Sequence, residues 1–216
     1  MKRILLLLAL VIGVASLGYA GDCTAGWGTS YEGGSCTIGD LTFSSFSFSG
    51  DQGANEVYVT PISGPNGFGF EFNSVWIAGT GGTSDTTITY TVEATGATIS
   101  DLHLGVPTFN SLNGGQIAIT ENTDPNVATL YFYYCNGSEG CVNQSLLDAS
   151  FEPVQSLTIT KDIGVKCPEG AQNCVASISE VVNTTTQVPE PATLTLLGTG
   201  LLGMAGFIRR KLKMRS

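Results

Sequence analysis

From Gly21 to Val188 apolar and polar residues alternate with a period of two. Ile88, Tyr90, Val92 and Ala94 share one parity, with Thr87, Thr89, Thr91 and Glu93 on the other. Leu102, Leu104 and Val106 alternate with Asp101, His103 and Gly105. Ile117 and Ile119 alternate with Gln116, Ala118 and Thr120, and Leu157 and Ile159 with Ser156, Thr158 and Thr160. Phe68, Phe70 and Phe72 again share a face, separated by Gly69 and Glu71. Successive side chains of a strand point to opposite sides, so this period predicts antiparallel strands with one dry and one wet face. In Leu41–Ser49 the apolar parity slips between Phe43 and Phe46, which predicts a bulge near Ser44-Ser45.

Turn chemistry separates the runs at Pro65-Asn66-Gly67, Gly79–Thr83, Asn113-Gly114-Gly115 and Asp124-Pro125-Asn126. About nine or ten short strands at this spacing predict an all-β fold, an antiparallel β-sandwich. A closed barrel is the alternative, because alternation does not count sheets. Helical periodicity is confined to the two tails, and Asn143–Ala149 is expected to form at most one helical turn. The chain has no internal repeat, and no linker longer than Asn183–Val188 is expected.

Both ends break the pattern. Lys2 and Arg3 precede an apolar run from Ile4 to Ala15, and Gly18-Tyr19-Ala20 supplies small residues for a cleavage site. Residues 1–20 therefore read as a secretory signal helix removed near Ala20. Gly21-Asp22 before Cys23 is the wrong context for lipidation of that thiol. At the other end Pro189, Glu190 and Pro191 lead into residues 192–208, which carry no charge, and then into the basic tail 209–215 with Arg209, Arg210 and Lys211. Two prolines around a carboxylate hold the backbone extended. The uncharged run would span about 26 Å as a helix, a short transmembrane crossing. Basic residues beyond it fix that end on the cytoplasmic side.

Charge adds an exclusion. Charged residues make up 12% of the chain, about half the usual share. Between Gly21 and Val188 there are 17 carboxylates against Lys161 and Lys166 and no arginine, a net charge of −15. A nucleic-acid binder needs a basic footprint, so that class is excluded, and docking on an anionic lipid surface is disfavoured.

The C-terminal arrangement resembles the PEP-CTERM sorting signal of Gram-negative bacteria, over residues 188–215 together with the N-terminal signal peptide. Thr195-Leu196-Leu197-Gly198-Thr199-Gly200-Leu201-Leu202-Gly203 is similar to the helix of that family. The resemblance implies an exosortase, a membrane-embedded cysteine transpeptidase, as the processing partner that recognises Pro189-Glu190-Pro191. It also implies anchoring in the inner membrane through 192–208 before processing, then cell-surface or extracellular-matrix localisation with an association to exopolysaccharide or biofilm. Residues 21–187 would be the exported cargo, flanked by the signal helix and the transmembrane helix.

All six cysteines, Cys23, Cys36, Cys135, Cys141, Cys167 and Cys174, lie beyond the expected cut. In an exported chain an even number reads as disulfides. Fifteen connectivities are open, and locality favours Cys23–Cys36, Cys135–Cys141 and Cys167–Cys174. A zinc site is disfavoured, since the chain has no CxxC pair and one histidine, and no run matches a calcium loop. No metal and no cofactor are expected.

Catalytic signatures are missing too. His103 lies two positions from Asp101 on one strand face, with Ser100 on the opposite face, so a Ser-His-Asp site would not converge. The chain has no G-x-S-x-G or S-x-x-K motif, and no carboxylate pair stands out for glycoside cleavage. Binding has more support: Tyr131-Phe132-Tyr133-Tyr134 places aromatics on both faces of one strand, and Trp27, Tyr31 and Trp76 are further candidates for stacking on sugar rings, although aromatics filling the sandwich core are the leading reading. The expectation is an exported, non-catalytic surface or matrix protein. The alternative is an exported carbohydrate-active enzyme or carbohydrate-binding module with extracellular polysaccharide as its partner.

Overall fold

The computed structural model describes residues 21–64, 67–137 and 142–189. The expected signal helix, the transmembrane segment 192–208 and the basic tail lie outside these residues. The described chain is all-β, with fifteen strands and one short 3-10 turn at Gly28–Ser30. In order the strands are β1 (Gly21–Asp22), β2 (Gly26–Trp27), β3 (Ser35–Ile38), β4 (Leu41–Gly50), β5 (Tyr58–Gly64), β6 (Gly67–Gly79), β7 (Thr83–Ala94) and β8 (Ala97–Leu112). They continue as β9 (Gln116–Asp124), β10 (Thr129–Cys135), β11 (Gln144–Leu146), β12 (Asp148–Val154), β13 (Ser156–Lys166), β14 (Val175–Thr185) and β15 (Gln187–Pro189).

Fifteen strands correct the expected nine or ten. The surplus is β1, β2, β3, β11 and β15, each of two to four residues. Pieces that short carry too few positions to display a period. Two local expectations are corrected with them. Asn143–Ala149 forms no helical turn but holds β11 and the start of β12, and Asn183–Val188 is no linker but the end of β14 and most of β15.

One sheet runs β1-β3-β4-β7-β13-β9-β10-β11, and the other β12-β8-β14-β6-β5-β2 with β15 also paired to β8. The strand pairs are antiparallel except β1 with β3, which is parallel. That short parallel pair also departs from the expected purely antiparallel arrangement. The two sheets pack their apolar faces against one another. Phe43 of β4 meets Phe70 of β6 edge to face at 4.8 Å, and Tyr90 of β7 meets Phe72 of β6 at 6.0 Å. The alternating residues Ile88, Tyr90, Val92, Leu102, Leu104, Ile117, Ile119, Leu157 and Ile159 are all buried.

The expected bulge is present. The β4–β7 register shifts between Ser44 and Ser47, and Ser45 takes φ 57°. That shift lets both Phe43 and Phe46 reach the core despite their odd spacing. Asn113 at φ 49° and Gly114 at φ 90° make the turn between β8 and β9, the left-handed pair that the Asn-Gly signal predicts.

Candidate functional site

Three places gather chemistry: a groove on the outer face of the second sheet, an aromatic surface on β10, and a polar network inside the core.

The groove is lined by Ile62, Asp101, His103, Gly105, Asp148 and Thr184, among others. Its centre is His103 of β8. The β12–β8 register sets Asp148 directly across from it, and His103 Nδ1 and Asp148 Oδ1 are 2.6 Å apart. On its other side Nε2 stands 3.6 Å from Asp101 Oδ1. Asp101 is bound mainly elsewhere. Its Oδ1 accepts from the Thr186 backbone N–H at 2.7 Å, its Oδ2 accepts from the Thr186 hydroxyl, and its carbonyl accepts from the Thr185 hydroxyl at 2.7 Å. The groups flanking His103 are thus two carboxylates, and a nucleophile–base–orienter set of the serine-hydrolase kind is not assembled there. Among the described residues no group of three or more His, Cys, Asp or Glu is placed to hold a metal ion.

Asp101 and His103 share a face, as their spacing implies. Asp148 escaped sequence reasoning, because only the pairing of β12 with β8 brings it to the histidine.

On β10 the aromatics divide by parity. Phe132 and Tyr134 turn inward, where Phe109 of β8 meets them at 5.2 and 5.0 Å. Tyr131 and Tyr133 lie on the other face as a stacked pair with centroids 5.5 Å apart. Trp27 and Tyr58 form a second exposed pair, edge to face at 5.3 Å. Of the sequence candidates for sugar stacking, Trp76 is fully buried and Tyr31 is 5% exposed, so both follow the core reading and neither is open to a sugar. Burial, and then the neighbouring Tyr58, push the Tyr31 phenol up to about 12. Its hydroxyl donates to the Thr24 carbonyl at 2.7 Å.

The core network was not anticipated. Lys161 of β13 and Glu121 of β9 are register partners, 0% and 1% exposed, and Lys161 Nζ donates to Glu121 Oε2. Glu121 Oε1 accepts from Asn183 Nδ2 of β14 at 3.0 Å, across the gap between the sheets. The same amide nitrogen donates to the His103 carbonyl at 3.0 Å, while Asn183 Oδ1 accepts from the Tyr90 hydroxyl. Burial, reinforced by the nearby Glu121 carboxylate, pushes the Tyr90 phenol well above its ordinary value, so it stays an O–H donor. A signal existed. Leu157, Ile159, Lys161, Ile163 and Val165 hold one parity, as do Ile117, Ile119 and Glu121.

Two disulfides are described, Cys23–Cys36 and Cys167–Cys174. The third expected pair, Cys135–Cys141, reaches outside the described residues at Cys141; Cys135 itself is disulfide-bonded.

Residues 187–211 match the PEP-CTERM protein-sorting motif. The chain carries that motif, and Pro189, Glu190, Pro191, Arg209, Arg210 and Lys211 fall within the matched span. Its first residues are strand: β15 pairs with β8 at Gln187–Ile99, Val188–Thr98 and Pro189–Ala97. No curated protein sequence matches the chain. Among solved structures, TmCBM61 in complex with β-1,4-galactotriose aligns at 14% identity and TM-score 0.31, over 65% of this chain and 88% of that one. The enzymatically active domain of bacteriophage CBA120 tailspike protein 4 aligns at 12% identity and TM-score 0.22, over 69% of this chain and 20% of that one. Both likenesses are too slight to bear on fold or ligand.

Proposed function

We propose that this chain is an exported, non-catalytic protein of the cell surface or extracellular matrix, delivered by its C-terminal signal, with the two facing sheets acting as a β-sandwich cargo. The match of residues 187–211 to the sorting motif carries this reading. In it Pro189-Glu190-Pro191 is the recognition element for an exosortase, 192–208 holds the chain in the inner membrane before processing, and Arg209, Arg210 and Lys211 keep the tail cytoplasmic. The acidic cargo and its disulfides suit an oxidising exterior. Fractionation of the native host with peptide mapping tests it. The cargo is expected outside the inner membrane, lacking residues 1–20 and the basic tail. Recovery of an intact tail in the inner membrane would reduce the motif to an ordinary anchor.

A second reading, carbohydrate binding by the same cargo, is supported by the outward pair Tyr131 and Tyr133, whose alternate spacing and stacking suit adjacent sugar faces. Retention of the protein on the host's own exopolysaccharide, lost in Tyr131→Ala/Tyr133→Ala, is the expected outcome. Equal retention of both forms would remove this reading and leave the first standing.

A further inference from the structure

The described core holds one ion pair, and it has more than a salt bridge's company. A carboxylate touches a primary amine with one oxygen and a primary carboxamide with the other: Glu121 Oε2 accepts from Lys161 Nζ, and Oε1 accepts from Asn183 Nδ2 at 3.0 Å. Lys161, Glu121, Asn183 and Tyr90 are each at most 1% exposed. Burying an ion pair costs desolvation that its attraction often fails to offset, so it is weak as a stabilising device. An amine, an amide and a shared carboxylate out of reach of water are instead the parts of an acyl transfer.

We propose that Lys161 and Asn183 condense to an intramolecular isopeptide bond, with Glu121 carrying the protons and Tyr90 holding the carbonyl oxygen. Glu121 Oε2 takes a proton from the Lys161 ammonium and frees its lone pair. Nζ attacks Asn183 Cγ, the new N–C bond forms, and the carbonyl π pair moves onto Oδ1. The Tyr90 hydroxyl, already donating to Oδ1, is placed to hold that oxyanion. Glu121 then protonates Nδ2, to which its Oε1 is already hydrogen-bonded; the Cγ–Nδ2 bond breaks and ammonia leaves. The second proton of Nζ passes to Glu121 and departs with the ammonia as ammonium. No oxidant, reductant or other co-reactant is needed. The product is a neutral amide joining β13 of one sheet to β14 of the other, and it removes the buried charge of the lysine. The phenol of Tyr90, held protonated by burial and by Glu121, remains a donor throughout.

Peptide mapping of the exported full-length protein tests the bond. After reduction, a glutamyl endopeptidase cuts at Glu139, Glu169 and Glu180, while Glu152 and Glu190 precede prolines and stay uncut, so the processed terminus is the last boundary. The expected result is one branched species joining the peptide that starts at Gly140 to the peptide that starts at Val181, lighter than their sum by one ammonia. Trypsin should also fail to cut at Lys161. Asn183→Ala should abolish the branch, and Asn183→Asp should restore the identical amide with loss of water. Two linear peptides of full mass from the unsubstituted protein would overturn the proposal. A branch from Lys161 to Glu121 would equally overturn it, and a branch persisting in Glu121→Gln would remove Glu121 from the role assigned to it.

Discussion

Replacement of Asp101 by alanine is expected to free the last strand while leaving the core folded. Asp101 is the clamp on the segment leading into the sorting motif: both carboxylate oxygens hold Thr186, one through its amide at 2.7 Å and one through its hydroxyl. Beyond Thr186, β15 makes only three register pairs, all with β8. A hydrogen bond to a charged group is worth about 1.5–3 kcal/mol, and the Asp101 side chain is 18% exposed, which favours the low end for each bond. Two such bonds give about 3 kcal/mol of local stability. Because about 1.4 kcal/mol is tenfold in an equilibrium, opening of β15 should become about 140-fold more frequent. Hydrogen exchange followed by mass spectrometry reads this directly, in a peptide spanning Gln187 to Val188. The same experiment should leave peptides from β7 and β13 at their original rates. If β15 exchanged within threefold of the unsubstituted protein, the carboxylate would not be what holds the strand. If β7 accelerated equally, the loss would be global and the local account would be wrong.

Phe70→Ala should cost about 3–5 kcal/mol, because Phe70 is fully buried with Tyr31, Phe43, Phe46, Phe72 and Tyr90 around it. A Tm lowered by about 6–20 °C checks it, and a fall under about 3 °C would refute it. Removing Cys167–Cys174, with sequence separation 7, should cost about 2.5 kcal/mol, and removing Cys23–Cys36, with separation 13, about 3, read as shifts of the urea midpoint. Asp85 offers a pH test. Burial, then Asp162 and Asp51, raise its pKa, so the fold favours the protonated form. Its stabilising contribution is complete below the ordinary carboxylate range and is lost as pH rises through the raised value. Asp85→Asn should therefore raise Tm at pH 7 and leave it unchanged below about pH 3; a gain of equal size at both would contradict the assignment.

The alternating runs made the long strands legible because each has enough positions to display a parity. β7 shows this most plainly, with Ile88, Tyr90 and Val92 inside and Thr87, Thr89 and Thr91 between them. The Ser44-Ser45 bulge was legible as well, since two phenylalanines with an odd spacing cannot both face inward on a regular strand. Asp148 was not legible. Its place beside His103 follows from the β12–β8 register, and nothing local to Asp148-Ala149-Ser150 encodes which strand it will meet. For Trp76 and Tyr31 the sequence leaves a core and a sugar-stacking place both open, since an aromatic is equally at home in either; burial between the folded sheets decides for the core. The core network was written in the chain and passed over. Lys161 stands midway in an apolar parity from Leu157 to Val165, and a charge there must be buried with its partner or drag four apolar neighbours into water.

That choice also fixes what the network can mean. Sliding β13 by one residue would move Lys161 to the outer face, but it would expose Leu157, Ile159, Ile163 and Val165 and bury Thr158 and Thr160 instead. Exposing each of those apolar side chains would cost about 1.5–3 kcal/mol, so they hold the register without help from the ion pair. Register specification, the best-attested reason for keeping a buried polar group, is thus already supplied by the flanking residues. Net stability is no better a reason, since an apolar pair of similar volume would serve at least as well. A Lys–Glu pair alone would also need no third partner from the opposite sheet. Yet Asn183 reaches from β14 to the free oxygen of Glu121 and takes the Tyr90 hydroxyl on its own carbonyl. Besides the His103 carbonyl, two groups with chemistry to offer converge on the asparagine amide, an acid–base carboxylate at its nitrogen and a donor at its oxygen. That is the arrangement an amide needs when its nitrogen is to leave.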